Sequence, residues 1–208
     1  LEKAKRLVSE TINKLSGDRV GIIAYAASAV PQLPITTDYE SAKLFLQALN
    51  TDMLSSQGTA IAEAIDLSKN YYDDENQTNR VLVILSDGED HEDGAEMAAT
   101  TAANEGITIF TIALGTEKGG VIPLKQKEVT SSFKKDAEGE VVITRMNMDV
   151  LQTVAYNTGG LMLIGDNTNE VVNAITNRLV EMDKAEFEAK QFVRFKDQYQ
   201  WMLAIGLF

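Results

Sequence analysis

Apolar and polar positions along this chain fall into blocks that switch between a helical and a strand period. Leu1, Ala4, Val8, Ile12 and Leu15 recur at helical spacing until Ser16-Gly17-Asp18 stops the pattern. Residues 19–27, rich in Val, Ile and Tyr, read as a strand. Residues 30–35 alternate but carry Pro31 and Pro34, which cannot donate ladder hydrogen bonds, so an edge strand is expected. Asp38 is placed to cap a helix whose apolar face is Ala42, Phe45, Leu46 and Leu49. After a polar loop over 50–58, Thr59 opens a further helix with Ile61, Ala64, Ile65 and Tyr71 turned inward.

The strongest signal follows. Residues 81–85 are five consecutive Val, Leu and Ile, ending abruptly in Ser86-Asp87-Gly88. That is too short for a helix and reads as a strand buried on both faces, as in parallel sheets covered by helices. A helix over 92–104 with Ala95, Ala98, Ala99 and Ala102 on one face leads, through Glu105-Gly106, to a buried strand over 107–114. Residues 115–146 break the rhythm, and a hairpin is expected there, pairing 132–135 with 140–145 around Glu138-Gly139. A helix over 149–157 and a short strand over 161–164 come next. Asn167 and Glu170 resemble a capping pair for a last helix with Val171, Ile175, Leu179 and Met182 inward. Repeated strand–helix units predict an α/β, doubly wound, mostly parallel sheet with one antiparallel edge strand.

Residues 1–182 are expected to form the domain, 183–198 a charged connector and 199–208 an apolar tail. Tyr199 and Trp201 at the entrance of that tail suit a membrane–water interface. It is too short to span alone, since a crossing helix needs about 20 apolar residues. It therefore reads as the start of a transmembrane helix or as a short buried element. Both termini look cut, with Leu1 already inside a helical pattern and no signal peptide in view.

Composition narrows the partners. Among 208 residues, 44% are hydrophobic and 24% charged, ordinary for a soluble globular domain. A formal net charge of −12 argues against nucleic acid, whose phosphates would be repelled. With no cysteine there are no disulfides, thiolate metal sites or cysteine nucleophiles. Lys118-Gly119-Gly120 lacks Walker spacing and no G-x-G-x-x-G follows a strand, so nucleotide binding is not expected.

Candidate chemistry gathers at two loops. Ligands of open α/β sheets sit beyond the carboxyl ends of the strands. Asp87 ends a strand there, and Thr59 starts a helix after a Gly58 turn at the same edge. Hydroxyl and carboxylate oxygens are the hard donors that magnesium and calcium prefer. Equally, Thr59 can be only a helix cap and Asp87 only a turn residue. The cluster Glu89-Asp90-His91-Glu92-Asp93 reads as a solvated helix entrance favoured by the macrodipole rather than a second cation site. His91 is the single histidine and a poor zinc candidate, and no serine shows a nucleophile motif to pair with it. Met146, Met148 and Met162 read as packing residues.

Residues 81–88 (VLVILSDG) with the Gly58-Thr59 turn resemble the von Willebrand factor A domain. The stretch 32–39 (QLPITTDY), the turn 57–61 (QGTAI) and the tyrosine–tryptophan apolar run are similar to the bacterial aerotolerance (Bat) family of membrane proteins. The resemblance covers about residues 1–182. It implies a metal-ion-dependent adhesion site built from an Asp-x-Ser-x-Ser loop after the first strand, a Thr and an Asp. Thr59 and Asp87 match the last two. The first loop is missing from these residues, and with it the first strand, which in the family lies mid-sheet. A gap is therefore implied. Each buried unsatisfied backbone group costs about 1–3 kcal/mol, against ~5–15 kcal/mol for a whole domain. The chain is expected to close the gap, borrow a strand or aggregate, with residues 201–208 one candidate to fill it.

The resemblance implies a non-enzymatic, membrane-anchored module on the periplasmic face of a bacterial inner membrane, with a part in oxidative-stress tolerance. It would dock other proteins, including membrane proteins of the same operon, through magnesium or another divalent cation held by Thr59 and Asp87. Binding is expected to be weak or absent in this chain without the Asp-x-Ser-x-Ser loop. The alternatives are a metal-independent structural interaction domain and a metal-assisted hydrolase using Asp87 and Glu89.

Overall fold

A computed structural model gives the architecture for residues 1–51, 53, 59–72, 79–88, 94–115, 120–121, 123–126, 129–133, 139–140, 143–144 and 148–196. Backbone alone is described for the strands within 120–144 and for 185–196. In chain order the elements begin with α1 (Glu2–Lys14), β1 (Val20–Tyr25), β2 (Ala29–Thr36), α2 (Tyr39–Ala48), α3 (Ile61–Lys69) and β3 (Arg80–Ser86). Then come α4 (Ala95–Asn104), β4 (Ile107–Ala113), β5 (Gly120–Val121), β6 (Pro123–Gln126), β7 (Val129–Phe133) and β8 (Ile143–Thr144). The series ends with α5 (Asp149–Asn157), β9 (Met162–Ile164) and α6 (Thr168–Lys196).

Local chemistry sets most of these boundaries. Asp38 caps α2, its Oδ1 accepting the Ser41 N–H at 3.0 Å and its Oδ2 the Ser41 hydroxyl at 2.6 Å. The Ser41 hydroxyl first, then its N–H, holds the Asp38 carboxyl below its ordinary range. Asn167 accepts the Asn169 N–H at 3.1 Å and donates to Glu170 Oε1 at 2.7 Å, the expected reciprocal pair at the start of α6. α6 then continues unbroken to Lys196, so the charged connector begins as helix.

β3, β4 and β9 pair in parallel, in the order β3-β4-β9. β1 and β2 form a separate antiparallel pair, with Ile23 opposite Pro31, so β2 is the proline-bearing edge strand the sequence predicts. Helices cover both faces. On one, Ile84, Ile107 and Ile109 pack with Ile61 and Ile65 of α3, the alanine face of α4, and Leu151 and Val154 of α5. On the other, Phe110 and Ile112 pack with Leu7 of α1 and Val171 and Ile175 of α6. A third cluster joins Ile12 of α1 to Ile22, Leu33, Ala42 and Leu46. The α/β fold with helices on both sides of a largely parallel sheet is the expected one.

Two expectations need correcting. The hairpin in the excursion after β4 pairs Pro123 with Phe133 and Gln126 with Val129, so Ser132 lies opposite Leu124 rather than opposite residues 140–145. Only two residues separate β6 from β7. So short a loop closes at less entropic cost than one turning around Glu138-Gly139. Ile143 and Thr144 pair instead with Val121 and Gly120.

The second correction concerns β3. Of its five central apolar residues only Ile84 is buried; Val81, Leu82, Val83 and Leu85 are half-buried. The cause is lateral. Among the described residues no strand pairs with β3 on the side toward β1, and a cavity of about 900 Å³ lies between the two. Among the described residues the implied mid-sheet gap is thus present. Residues 201–208, the candidate to fill it, lie outside the described residues, as do Glu89–Asp93, His91, Met146 and Gly58. Met148 and Met162 are partly buried against the α3–α4–α5 cluster, in the packing role expected of them.

A candidate cation-docking rim

β1 and β3 point the same way, which brings their carboxyl ends to one rim. Tyr25, last in β1, donates its hydroxyl to the Leu85 carbonyl near the end of β3 at 3.0 Å. Immediately beyond β1, the Ala26 carbonyl accepts the Ala60 N–H at 2.7 Å. That bond places Thr59, the residue before Ala60, beside the end of β1. Thr59 is half-buried and is not the residue flanking α3: Ala60 holds that position and has no side-chain cap. The simple capping role is therefore not the one Thr59 takes.

Asp87 follows β3 directly and is also half-buried. Its turn is shaped by its neighbours. The buried Ser86 hydroxyl accepts the Gly88 N–H at 3.0 Å, and the Ser86 carbonyl accepts the Leu114 N–H at 2.7 Å. Gly88 has φ 81°, the left-handed region where a side chain would be strained. Ser-Asp-Gly is thus a strand terminator with a mechanism: serine ties the turn, glycine reverses it, and Asp87 is presented between them. The chain then returns to α4 through Gly94, whose missing Cβ would lie 3.9 Å from Cβ of Ala62 in the first turn of α3. The starts of α3 and α4 therefore sit side by side. Thr59 and Asp87 occupy the same end of the sheet, and both are reachable from solvent.

The rim offers hard oxygen donors of the kind magnesium prefers, so the residues fit such an ion in kind. They are few: among the described residues no group of three or more His, Cys, Asp and Glu could hold a metal. Sequence reasoning missed Tyr25 and Ala26, which hold the two loops to one rim. A tyrosine closing a strand was the available signal; its partner 60 residues away in sequence was not.

Residues 1–130 match the von Willebrand factor type A domain, and the chain belongs to that family. These domains generally serve as interaction modules rather than enzymes. A conserved hypothetical protein BatB from Bacteroides thetaiotaomicron is 39% identical, with 88% of each chain covered and a TM-score of 0.83. An aerotolerance-related membrane protein from Bacteroides fragilis is 37% identical over 88% of each chain, with a TM-score of 0.80. The proximal thread matrix protein 1 of the mussel byssus, whose metal-ion-dependent adhesion site is occupied by zinc, shares the fold. Its TM-score is 0.61 at 12% identity, over 84% of this chain and 39% of its own. The chain spans between 47% and 59% of the length of the curated relatives it matches. Among the described residues no helix is long and apolar enough to cross a membrane.

Proposed function

We propose that this domain is a protein-binding module, held at the periplasmic face of a bacterial inner membrane, that docks partner proteins through a divalent cation at the carboxyl rim. Thr59 and Asp87 would hold the ion, directly or through water, and an acidic side chain of the partner would complete its shell. The partners include other membrane proteins encoded in the same operon. The reading is supported by the half-exposed positions of Thr59, beside Ala60 whose N–H bonds the end of β1, and of Asp87, directly after β3 whose end is tied to β1 by Tyr25. Similarity to the aerotolerance-related membrane protein supports the membrane setting and a part in oxidative-stress tolerance.

Magnesium, when bound, supplies positive charge and a vacant coordination position for a carboxylate. With two protein donors most of its shell would be water, so residues 1–208 are expected to bind magnesium weakly. Titration calorimetry checks this, and a tight stoichiometric isotherm would refute it. The docking test compares partner recovery by the unaltered chain, by Asp87→Ala and by the unaltered chain in EDTA. Loss in both of the latter supports cation-mediated docking; undiminished recovery in both marks a metal-independent interaction domain. Metal-assisted hydrolysis would need phosphoester turnover that disappears in Asp87→Ala. No positioned nucleophile or acid–base pair is found among the described rim residues to supply it.

A further inference from the structure

α2 carries apolar residues on two faces. Ala42 and Leu46 are buried with Ile22 of β1 and Leu33 of β2, as the sequence pattern predicts. Phe45, expected to turn inward with them, does not: it is 45% exposed, and Leu44 beside it is 66% exposed. The 3.6-residue turn sets Leu44, Phe45 and the exposed Ala48 on one stripe, away from Ala42 and Leu46. Single exposed apolar residues are ordinary, but adjacent bulky ones on one stripe make a patch. Neither Leu44 nor Phe45 lines the cavity between β1 and β3.

The stripe leads to the rim. Tyr39, first in α2, donates its hydroxyl to the Asp18 carbonyl ahead of β1, so the helix starts at the amino end of the strands. Its last turn is held by Lys5 of α1, whose Nζ donates to the Gln47 carbonyl at 3.0 Å. In the same turn of α1, Lys3 pairs at 3.5 Å with Asp166, which follows β9. The Gly165 N–H bonds the Ala113 carbonyl at the end of β4, and the Leu114 N–H bonds the Ser86 carbonyl at the end of β3. Each link lies at the carboxyl ends, so the last turn of α2 stands level with Asp87, and Phe45 lies about 5 Å before Ala48 along the helix axis.

Charge distinguishes the two flanks of that rim. The first turns of α3 and α4 present exposed Glu63 and Glu96. From Leu44 to Thr51 no residue is charged, and the Lys5 ammonium stands at Gln47. A carboxylate brought to the rim is repelled over the α3–α4 flank and meets uncharged, apolar surface over α2. We propose that the outer stripe of α2 is the second half of the docking surface. It takes a partner polypeptide that lays bulky apolar side chains on Leu44, Phe45 and Ala48 while its carboxylate reaches the rim. The carboxylate half rests on the cation-docking reading; the apolar half does not. A second copy of this chain is not the occupant, because each copy has a formal net charge of −12 and the two repel.

The test uses the 208-residue chain and a dye-labelled peptide of one aspartate, a Gly-Ser spacer of about four residues reaching about 10 Å, and Leu-Phe-Leu. Fluorescence polarisation in millimolar magnesium should show saturable binding. Leu44→Glu should weaken it about tenfold or more, and so should Leu44→Ser combined with Phe45→Ser. Melting temperatures of these variants should match that of the unaltered chain, since the residues are exposed. Replacing Leu-Phe-Leu by three serines should lose a similar factor, whereas Glu96→Lys on the opposite flank should not weaken binding. Loss in Asp87→Ala and in EDTA, with the α2 variants binding normally, keeps the cation rim and overturns the α2 surface. Loss in the α2 variants alone keeps the α2 surface and overturns cation docking. No saturable binding by the unaltered chain, or equal weakening by Glu96→Lys and Leu44→Glu, also overturns the proposal.

Discussion

β3 and β4 are neighbouring parallel strands of similar composition, yet they are buried very differently. β4 has β3 on one side and β9 on the other, and six of its seven residues are buried. Among the described residues β3 is paired with β4 alone, and only its Ile84 and Ser86 are buried. Across the gap β1 is the same, with only Ile22 of its six residues buried. Apolar side chains and helix cover are common to both regions; a lateral neighbour is not. Face-to-face packing buries side chains, but edge-to-edge pairing is needed to keep water from the backbone and from the flanks of those side chains. In the gapped half tyrosine hydroxyls supply part of what a strand would.

The sharpest probe of this contrast is truncation in each strand. Phe110→Ala in β4 removes a fully buried ring and should cost about 3–5 kcal/mol in chemical denaturation. Val83→Ala in β3, beside the cavity, should cost about 1 kcal/mol or less, because its side chain is already half in contact with open space. Equal losses would mean that the gap is closed in solution. A second pair adds methyl groups. Gly160 abuts the Ile109 carbonyl, so Gly160→Ala forces backbone apart in the completed half and should cost ~1–3 kcal/mol or more. Gly21→Ala meets instead the ring of Tyr71 at 2.8 Å, beside the cavity, where the ring can yield. A smaller loss is expected, measured by the same denaturation midpoints.

The smallest effect is on pH dependence. Burial pushes the Tyr72 hydroxyl up to about 12, against an opposing pull from Arg80. Its ordinary value is about 10. A group held neutral in the fold keeps its full contribution below the unfolded value and loses it as pH rises from about 10 toward 12. Melting temperature should therefore fall more steeply between those pH values in the unaltered chain than in Tyr72→Phe. Parallel profiles would show that Tyr72 is not buried in the gapped half.

The rim was legible only in part. Asp87 could be placed at a strand's carboxyl end because an apolar run stopping at Ser-Asp-Gly admits few other readings. Thr59 could be placed at a helix start, but one residue too close to it, since propensity cannot separate Thr59 from Ala60 at that position. That the two loops share one rim depends on the Tyr25–Leu85 and Ala26–Ala60 bonds, which join residues far apart in sequence. The excursion after β4 was read with the wrong partners because its residues are polar, without the alternation that fixes register.

By itself the amino-acid sequence determined the order of helices and strands outside residues 115–146, the inward faces of α3, α4 and α6, and the proline-bearing edge, because hydrophobic period and capping act over a few residues. Only the tertiary structure decided that β3 is half-exposed, that two tyrosines reach across the space beside it, and that the ends of β1 and β3 meet. Burial and pairing at a strand's edge depend on what lies next to it in space, and the chain's local pattern carries no record of that neighbour.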